Sequence, residues 1–299
     1  MKKFIQIFIV FSIPVFTAFI WSFYLYKKQL DNLKIDAKIT TIVCGDSHTE
    51  SGINDTLMKN AANISQSSEH YLYTYNLLTL LLKGKSNIKY IVLGCSFHSF
   101  GENYDHYVLN VDKTNVMYPK YFSILDNNSK MEMLFYNPQG IIAASGTIYK
   151  NILNALEYSY EKYDDYPFYG KYYQSIKNNI SDSTIKVAIE RHYYNDDKQQ
   201  QGFAEYQKKY LKKIVELCLR NNIKLLLINT PISIEYYNKI PHKFIEDYYK
   251  TVDNFKNKAH LIDLHSLPLD NRCFGDGDHL NAIGAKILTP KIDSIVAHF

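Results

Sequence analysis

Two short segments of this sequence carry residue types able to perform covalent chemistry. Gly45-Asp46-Ser47-His48-Thr49-Glu50 follows the β-branched run Ile39 to Cys44, and Phe274-Gly275-Asp276-Gly277-Asp278-His279-Leu280-Asn281 lies near the C-terminus. A serine hydroxyl is a weak nucleophile until a neighbouring base takes its proton. A carboxylate three residues before a histidine, in a glycine-loosened turn, can accept the ring's Nδ1–H and fix its tautomer. Nε2 is then free for the serine. The spacing therefore predicts Ser47 as nucleophile, His279 as general base and then acid, and Asp276 as the group that orients it. Asp278 is the alternative orienting carboxylate, and His48 and Glu50 are read as first-turn helix residues.

These residues are useful only if a fold brings them together. Ile39 to Cys44 stops at Gly45 as a buried strand running into a turn does. Ala61 to Ser65, Tyr90 to Gly94, Lys224 to Asn229 and His260 to Leu264 read as further strands. Between them, Glu69 to Lys83, the helical spacing of Phe203, Tyr206, Tyr210, Ile214, Leu217 and Cys218, Phe244 to Phe255 and Ala282 to Phe299 read as helices. Strands alternating with helices predict an α/β protein, a three-layer α/β/α sandwich around a parallel sheet. In such sheets ligands bind beyond the carboxyl ends of the strands, where both segments would lie.

GDS at the end of the first strand, paired with D-x-x-H before the last helix, resembles the SGNH/GDSL hydrolase superfamily, over about residues 39 to 96 and 203 to 299. The resemblance implies a flavodoxin-like sandwich and an acyl-enzyme on Ser47, with no cofactor. It also implies oxyanion donors after the second and third strands. There the family has a Gly and a Gly-x-Asn-Asp, whereas this chain has Asn63 to Ser68 and Gly94-Cys95-Ser96-Phe97. Gly94 matches and Ser96 stands in place of Asn, so Gly94, Ser96 and Ser67 are the candidate oxyanion or binding residues beside the Ser47 amide. Similar departures occur in the membrane-anchored branch resembling alginate acetylation proteins and the teichoic-acid D-alanylation protein DltD. That branch implies an esterase or O-acyltransferase, with acetyl as the acyl group, acting on a cell-envelope or secreted polysaccharide beside a membrane-bound O-acyltransferase. The alternative is a silent glycan-binding or scaffold partner of such an enzyme.

Other readings of the same residues compete. Ser47 alone could merely cap the next helix. Asp46-Ser47-His48 also matches the D-x-H opening of metallophosphoesterases, but no G-N-H-[DE] follows a later strand. His98, Glu102, Asp105 and His106 have no recognised metal-ligand spacing and are read as solvated polar residues. No metal site is expected.

The remaining sequence places this domain. From Phe4 to Tyr26 there is no charge, about 34 Å of helix at 1.5 Å per residue, enough for a ~30 Å hydrocarbon core. Lys2 and Lys3 precede the run, Lys27 and Lys28 follow it, and Trp21, Tyr24 and Tyr26 suit an interfacial belt. The run lacks a small-x-small cleavage site, so residues 1–29 are read as an uncleaved signal anchor, kinked at Pro14, with residues 30–299 an extracytoplasmic domain on a single-pass membrane protein. Residues 97–200 show no clean period and are read as an insertion, a lid or substrate-binding subdomain. A net charge of +4 with scattered Lys and Arg gives no nucleic-acid footprint. The 27 tyrosines, beside abundant Asn, Lys and Ile, reflect composition bias; clusters such as Tyr163 to Tyr173 are the alternative, as sugar-stacking surfaces. Cys44, Cys95, Cys218 and Cys273 show no metal or C-x-x-C spacing and read as free thiols, although an extracytoplasmic location would permit one bridge.

Overall fold

The computed structural model describes residues 2–31, 33, 35–83, 87–155 and 177–299. The Tyr163 to Tyr173 cluster lies outside them. Five strands form one parallel sheet: β1 (Thr41–Cys44), β2 (Ala61–Asn63), β3 (Tyr90–Gly94), β4 (Lys224–Asn229) and β5 (His260–Asp263), in the order β2-β1-β3-β4-β5. Alternation along the strands sends Ile42, Cys44, Ile91, Leu93, Leu225 and Leu227 into one core, and Val43, Val92, Leu226, Ile228 and Ile262 into the other. Both faces are covered, which is why the strands read as continuous apolar runs.

In chain order the helices are α1 (Lys2–Asp31), α2 (Ser47–Gly52), α3 (Tyr71–Lys83), α4 (His106–Leu109), α5 (Val111–Tyr121), α6 (Asn127–Tyr136), α7 (Pro138–Asn154), α8 (Asp182–Tyr193), α9 (Glu205–Arg220), α10 (Ile234–Tyr237), α11 (His242–Asp253) and α12 (Ala282–Ala297). Leu72, Leu77 and Leu78 of α3, Tyr210, Leu211 and Ile214 of α9, and Phe244 and Tyr248 of α11 fill the first core. Leu288, Ile292 and Val296 of α12 fill the second. This is the three-layer α/β/α arrangement. The order reverses direction between β1 and β3, so their carboxyl ends flank the crevice where such folds bind ligands.

Residues 97–200 differ from their reading as a stretch without clean period. Their described part is largely helical, from a turn of 3₁₀ helix at Phe97–Phe100 through α4 to α8. The Asn, Asp and Ser residues that gave the segment its irregular look are largely caps. Asn110, Asp126, Asn137 and Ser181 each accept a hydrogen bond from a backbone N–H in the first turn of α5, α6, α7 and α8.

Within α1, the stretch Phe8–Asp31 is long and apolar enough to cross a membrane. Pro14 lies inside the helix without ending it. All four cysteines are buried free thiols.

Candidate active site

At the end of β1 the chain turns through Gly45, whose φ of +136° favours glycine. A Cβ there would lie 2.7 Å from Thr49 Oγ1 and 2.9 Å from the Gly94 nitrogen. Asp46 then caps α2, accepting from the His48 amide at 3.0 Å, and Ser47 is the first helical residue. On the other side, the loop before α12 is folded tightly by Asn281. Its side chain accepts from the Ile283 and Gly284 amides and donates to the Arg272 and Phe274 carbonyls. The Gly275 amide donates to the His279 carbonyl at 2.8 Å, and Asp276 Oδ1 accepts from the amides of Asp278 and His279.

These two turns bring residues 232 positions apart into contact. Ser47 Oγ lies 2.8 Å from His279 Nε2, and His279 Nδ1 lies 3.0 and 3.1 Å from the two Asp276 oxygens. Asp278 is involved as well. Its Oδ1 sits 3.3 Å from His279 Nδ1 but has no aligned hydrogen bond, so it acts on the ring through charge. Burial alone would lower the His279 pKa. The Asp278 charge and the Asp276 hydrogen bond outweigh it and hold the imidazole well above its ordinary value.

Beneath the serine lies a buried network of histidines and carboxylates. Asp278 is fully buried and its Oδ2 lies 2.9 Å from His192 Nε2, 3.4 Å from His48 Nε2 and 3.6 Å from Arg191. Burial opposes its charge, but His279 and His192 outweigh that and hold the carboxyl well below the usual range. Asp46 is likewise held low despite burial, by His98 Nε2 at 2.9 Å and with help from the Tyr104 hydroxyl at 2.5 Å. The His48 ring stacks on His98 at 4.0 Å between centroids, and burial together with the nearby His98 and His279 pushes His48 down to about 4.

Ser47 stands where two cavities meet. One, about 630 Å³, lies between the triad and α8, and its lining includes Ser67, Asn179, Val187, Ala188 and Leu280. The other, about 250 Å³, is lined by Ser67, Asn103, Tyr107 and Lys113 among others. Arg191, half exposed, lines both. Of the expected oxyanion residues only Ser67 borders these cavities, with its hydroxyl donating to Glu50 at 2.5 Å. Gly94 and Ser96 do not. Gly94 is buried behind α2, where a Cβ would strike Thr49 at 2.8 Å, and its carbonyl accepts from Tyr71. The Ser96 amide is committed to Ser99 Oγ at 2.9 Å, within the 3₁₀ turn.

The sequence reading missed Arg191, His192 and the buried role of His98. His98 and Asp105, read as solvated, are buried and separate. Asp105 accepts from the Tyr206 and Gln207 amides at 2.9 and 2.8 Å, supplying at long range the cap that Ala204 cannot give α9. Asp46 and His48 do not converge on one point, as a D-x-H metal site requires, because Asp46 turns to His98 and Tyr104. Among the described residues the group able to hold a metal is His48, Asp278 and His279, with ligand atoms within 4.8 Å of one another. A cation there would compete with Asp276 for His279 Nδ1, so the set fits the hydrogen-bonded chain Ser47–His279–Asp276 better than a metal.

A protein-family model matches residues 145–299, just over half of the chain. The chain belongs to the family that this model describes. The match takes in Asp276, His279, Arg191 and His192 but not Ser47. No curated protein matches the sequence. Among solved structures, a GDSL-like lipase from Bacteroides thetaiotaomicron is similar at 10% identity, over 88% of this chain and 90% of that one, with a TM-score of 0.40. A Bacteroides fragilis chain proposed to be an acylhydrolase gives 11% identity over 91% of this chain and 94% of that one, TM-score 0.41. A Streptococcus pneumonia chain proposed to be a platelet activating factor gives 10% identity over 99% of both chains, TM-score 0.44.

Proposed function

We propose that this chain is a membrane-anchored SGNH-type serine esterase or O-acyltransferase that works through an acyl-enzyme on Ser47. The observation that carries the reading is the continuous path from Ser47 Oγ through His279 Nε2 and Nδ1 to Asp276, open to a cleft. Ser47 Oγ attacks the ester carbonyl carbon while His279 Nε2 takes its proton. The oxyanion gathers on the Ser47 amide, one of the first-turn N–H groups that a helix leaves without a partner, and on the Arg191 guanidinium across the cavity. Collapse breaks the C–O bond, and His279 returns the proton to the departing alkoxide. Water or a sugar hydroxyl then attacks the acyl-serine by the same steps reversed. Hydrolysis and transfer differ only in that second nucleophile.

In this reading the acceptor is a cell-envelope or secreted polysaccharide, acetyl the group carried and a membrane-bound O-acyltransferase the partner; the apolar N-terminal helix supports the membrane location alone. In this reading residues 97–200 supply one wall of the cleft through α8. A catalytically silent scaffold is favoured by one observation, that the Ser96 amide is already bonded within its own turn. The deciding experiment treats the full chain in detergent with a serine-directed fluorophosphonate and a small activated acetyl ester. Labelling and turnover that vanish in Ser47→Ala support the enzyme. Labelling that persists in Ser47→Ala removes the nucleophile assignment, and none in either protein supports the scaffold.

A further inference from the structure

Helix α7 does not look like a helix facing water. Ile141, Ala144, Ile148 and Ile152 turn inward at helical spacing, as a core-facing stripe should. The rest of its surface carries Ile142 and Tyr149, 71% and 48% exposed, with Ala143, Ser145, Gly146 and Thr147 between them, and the exposed Lys150 follows directly after Tyr149. No charged residue occurs from Pro138 to Tyr149. The outer faces of α9 and α11, by contrast, carry Lys209, Lys212, Glu216, His242, Glu246 and Lys250.

The position of α7 along α1 explains the difference. Phe19, Ser22, Tyr26 and Leu30 of α1 form one stripe packed on the domain, and the Phe19 ring stacks on Tyr149 at 5.3 Å between centroids. Phe19 is eight residues before Lys27, about 12 Å along the helix axis. From Lys3 to Phe19 the helix covers only about 24 Å, short of a ~30 Å hydrocarbon core. A membrane spanned by α1 must therefore extend past Phe19 toward Trp21 and Tyr24, and whatever touches Phe19 lies within it. We infer that the outer face of α7 is a second membrane-embedded surface, seated in the acyl-chain region beside α1. This rests on α1 being the anchor. Its partner is the lipid bilayer, which suits a face of apolar and small residues whose one exposed charge, Lys150, follows Tyr149 on a stem long enough to reach the headgroups, and which would hold the domain close to the membrane.

The test reads depth in the full chain, reconstituted in phosphatidylcholine and phosphatidylglycerol vesicles. Because the native cysteines are all buried, single probes at Ile142→Cys, Phe11→Cys and Val187→Cys can be labelled with an environment-sensitive fluorophore, with unsubstituted protein as the blank. The expected result is blue-shifted emission at positions 142 and 11, quenched by nitroxide-bearing lipid and shielded from aqueous iodide, with the reverse at position 187 on α8. Lipid quenching at position 11 with iodide quenching at 142 overturns the inference and leaves the anchor intact. Iodide quenching at both positions removes the anchor as well.

Discussion

The carboxyl edge of the sheet and the helices of residues 97–200 meet at Ser47, but they reach it by different routes. At the sheet edge, Ser47 and His279 stand on turns fixed by their own neighbours: Gly45 and the Asp46 cap on one side, Asn281 and the Gly275 to His279 closure on the other. Arg191 and His192 ride instead on α8 and are held by partners far along the chain. Asn103 Nδ2 donates to the Arg191 carbonyl from 88 residues away, and His192 Nε2 lies 2.9 Å from Asp278 Oδ2, 86 residues away. In the proposed reading the reacting atoms thus belong to the local, sheet-bound part. The groups that set charge around them come from the long-range part. If this division is right, substitutions in the first region should remove chemistry, and those in the second should tune it.

The largest effect is expected from Ser47→Ala. It deletes the only atom that forms a bond, so kcat/KM toward an activated acetyl ester should fall by about 10⁴-fold or more while thermal unfolding stays unchanged. A residual rate within tenfold of the parent would show that another group is the nucleophile. Arg191→Ala comes next. If the guanidinium supplies the oxyanion contact that Gly94 and Ser96 do not, kcat should fall by about 10²-fold with KM little changed, the cost of one such donor. A change confined to KM would make Arg191 a substrate-binding residue and blur the proposed division.

That contrast also explains what could be read from the sequence. Buried parallel strands announce themselves because both faces are apolar. Thus β3 and β4 were legible to the residue, and β1 and β5 to within one or two residues. The approach of Ser47, His279 and Asp276 to one another was legible because the turns that carry them are encoded within a few residues of each. The helices after Phe97 were not, because they are capped locally by the very Asn, Asp and Ser that suggest loops. His98, Arg191 and His192 gain their places from contacts 52 to 88 residues distant, His98 to Asp46, His192 to Asp278 and Arg191 to Asn103. One signal was present. Arg191 is one of only three arginines among 34 basic residues, an exception to a strong lysine bias.

Asp278 belongs to neither region alone, since it sits in the C-terminal loop but contacts His192 and Arg191 on α8. His279 acts as a base only when neutral, and its pKa is held above the ordinary imidazole value. Activity should therefore rise with pH along a limb displaced above pH ~6.5. Removing one of the two charges that raise it, in Asp278→Asn, should move the limb to lower pH, so that the variant reaches its plateau earlier. Asp276→Asn, by contrast, removes the hydrogen bond that fixes the tautomer and should lower the plateau itself, by up to about 10⁴-fold. A pH–rate profile in Asp278→Asn that superimposes on the parent would show that Asp278 serves only to hold α8.

The smallest effects come from a matched pair of glycines, one in each region. Gly45 has a φ of +136° and no room for a Cβ between Thr49 and Gly94. Gly45→Ala should therefore cost about 1–3 kcal/mol in backbone strain, with further loss as Thr49 shifts and carries α2 away from His279. Gly146, within α7, has none of the described residues within 4 Å of a built Cβ. Gly146→Ala should be neutral or stabilise the protein by up to about 1 kcal/mol through helix propensity. Denaturant midpoints of the full chain in detergent, read beside ester turnover, separate the two cases. Gly45→Ala is expected to lose stability and rate together, because the same turn holds β1 against Gly94 and aims Ser47. Stability lost at Gly146 would mean that the outer face of α7 is packed against protein, not lipid. Activity preserved at Gly45 would mean that the aim of Ser47 does not depend on its own turn, and the proposed division between a locally fixed centre and a remotely held surround would fail at its nearest point.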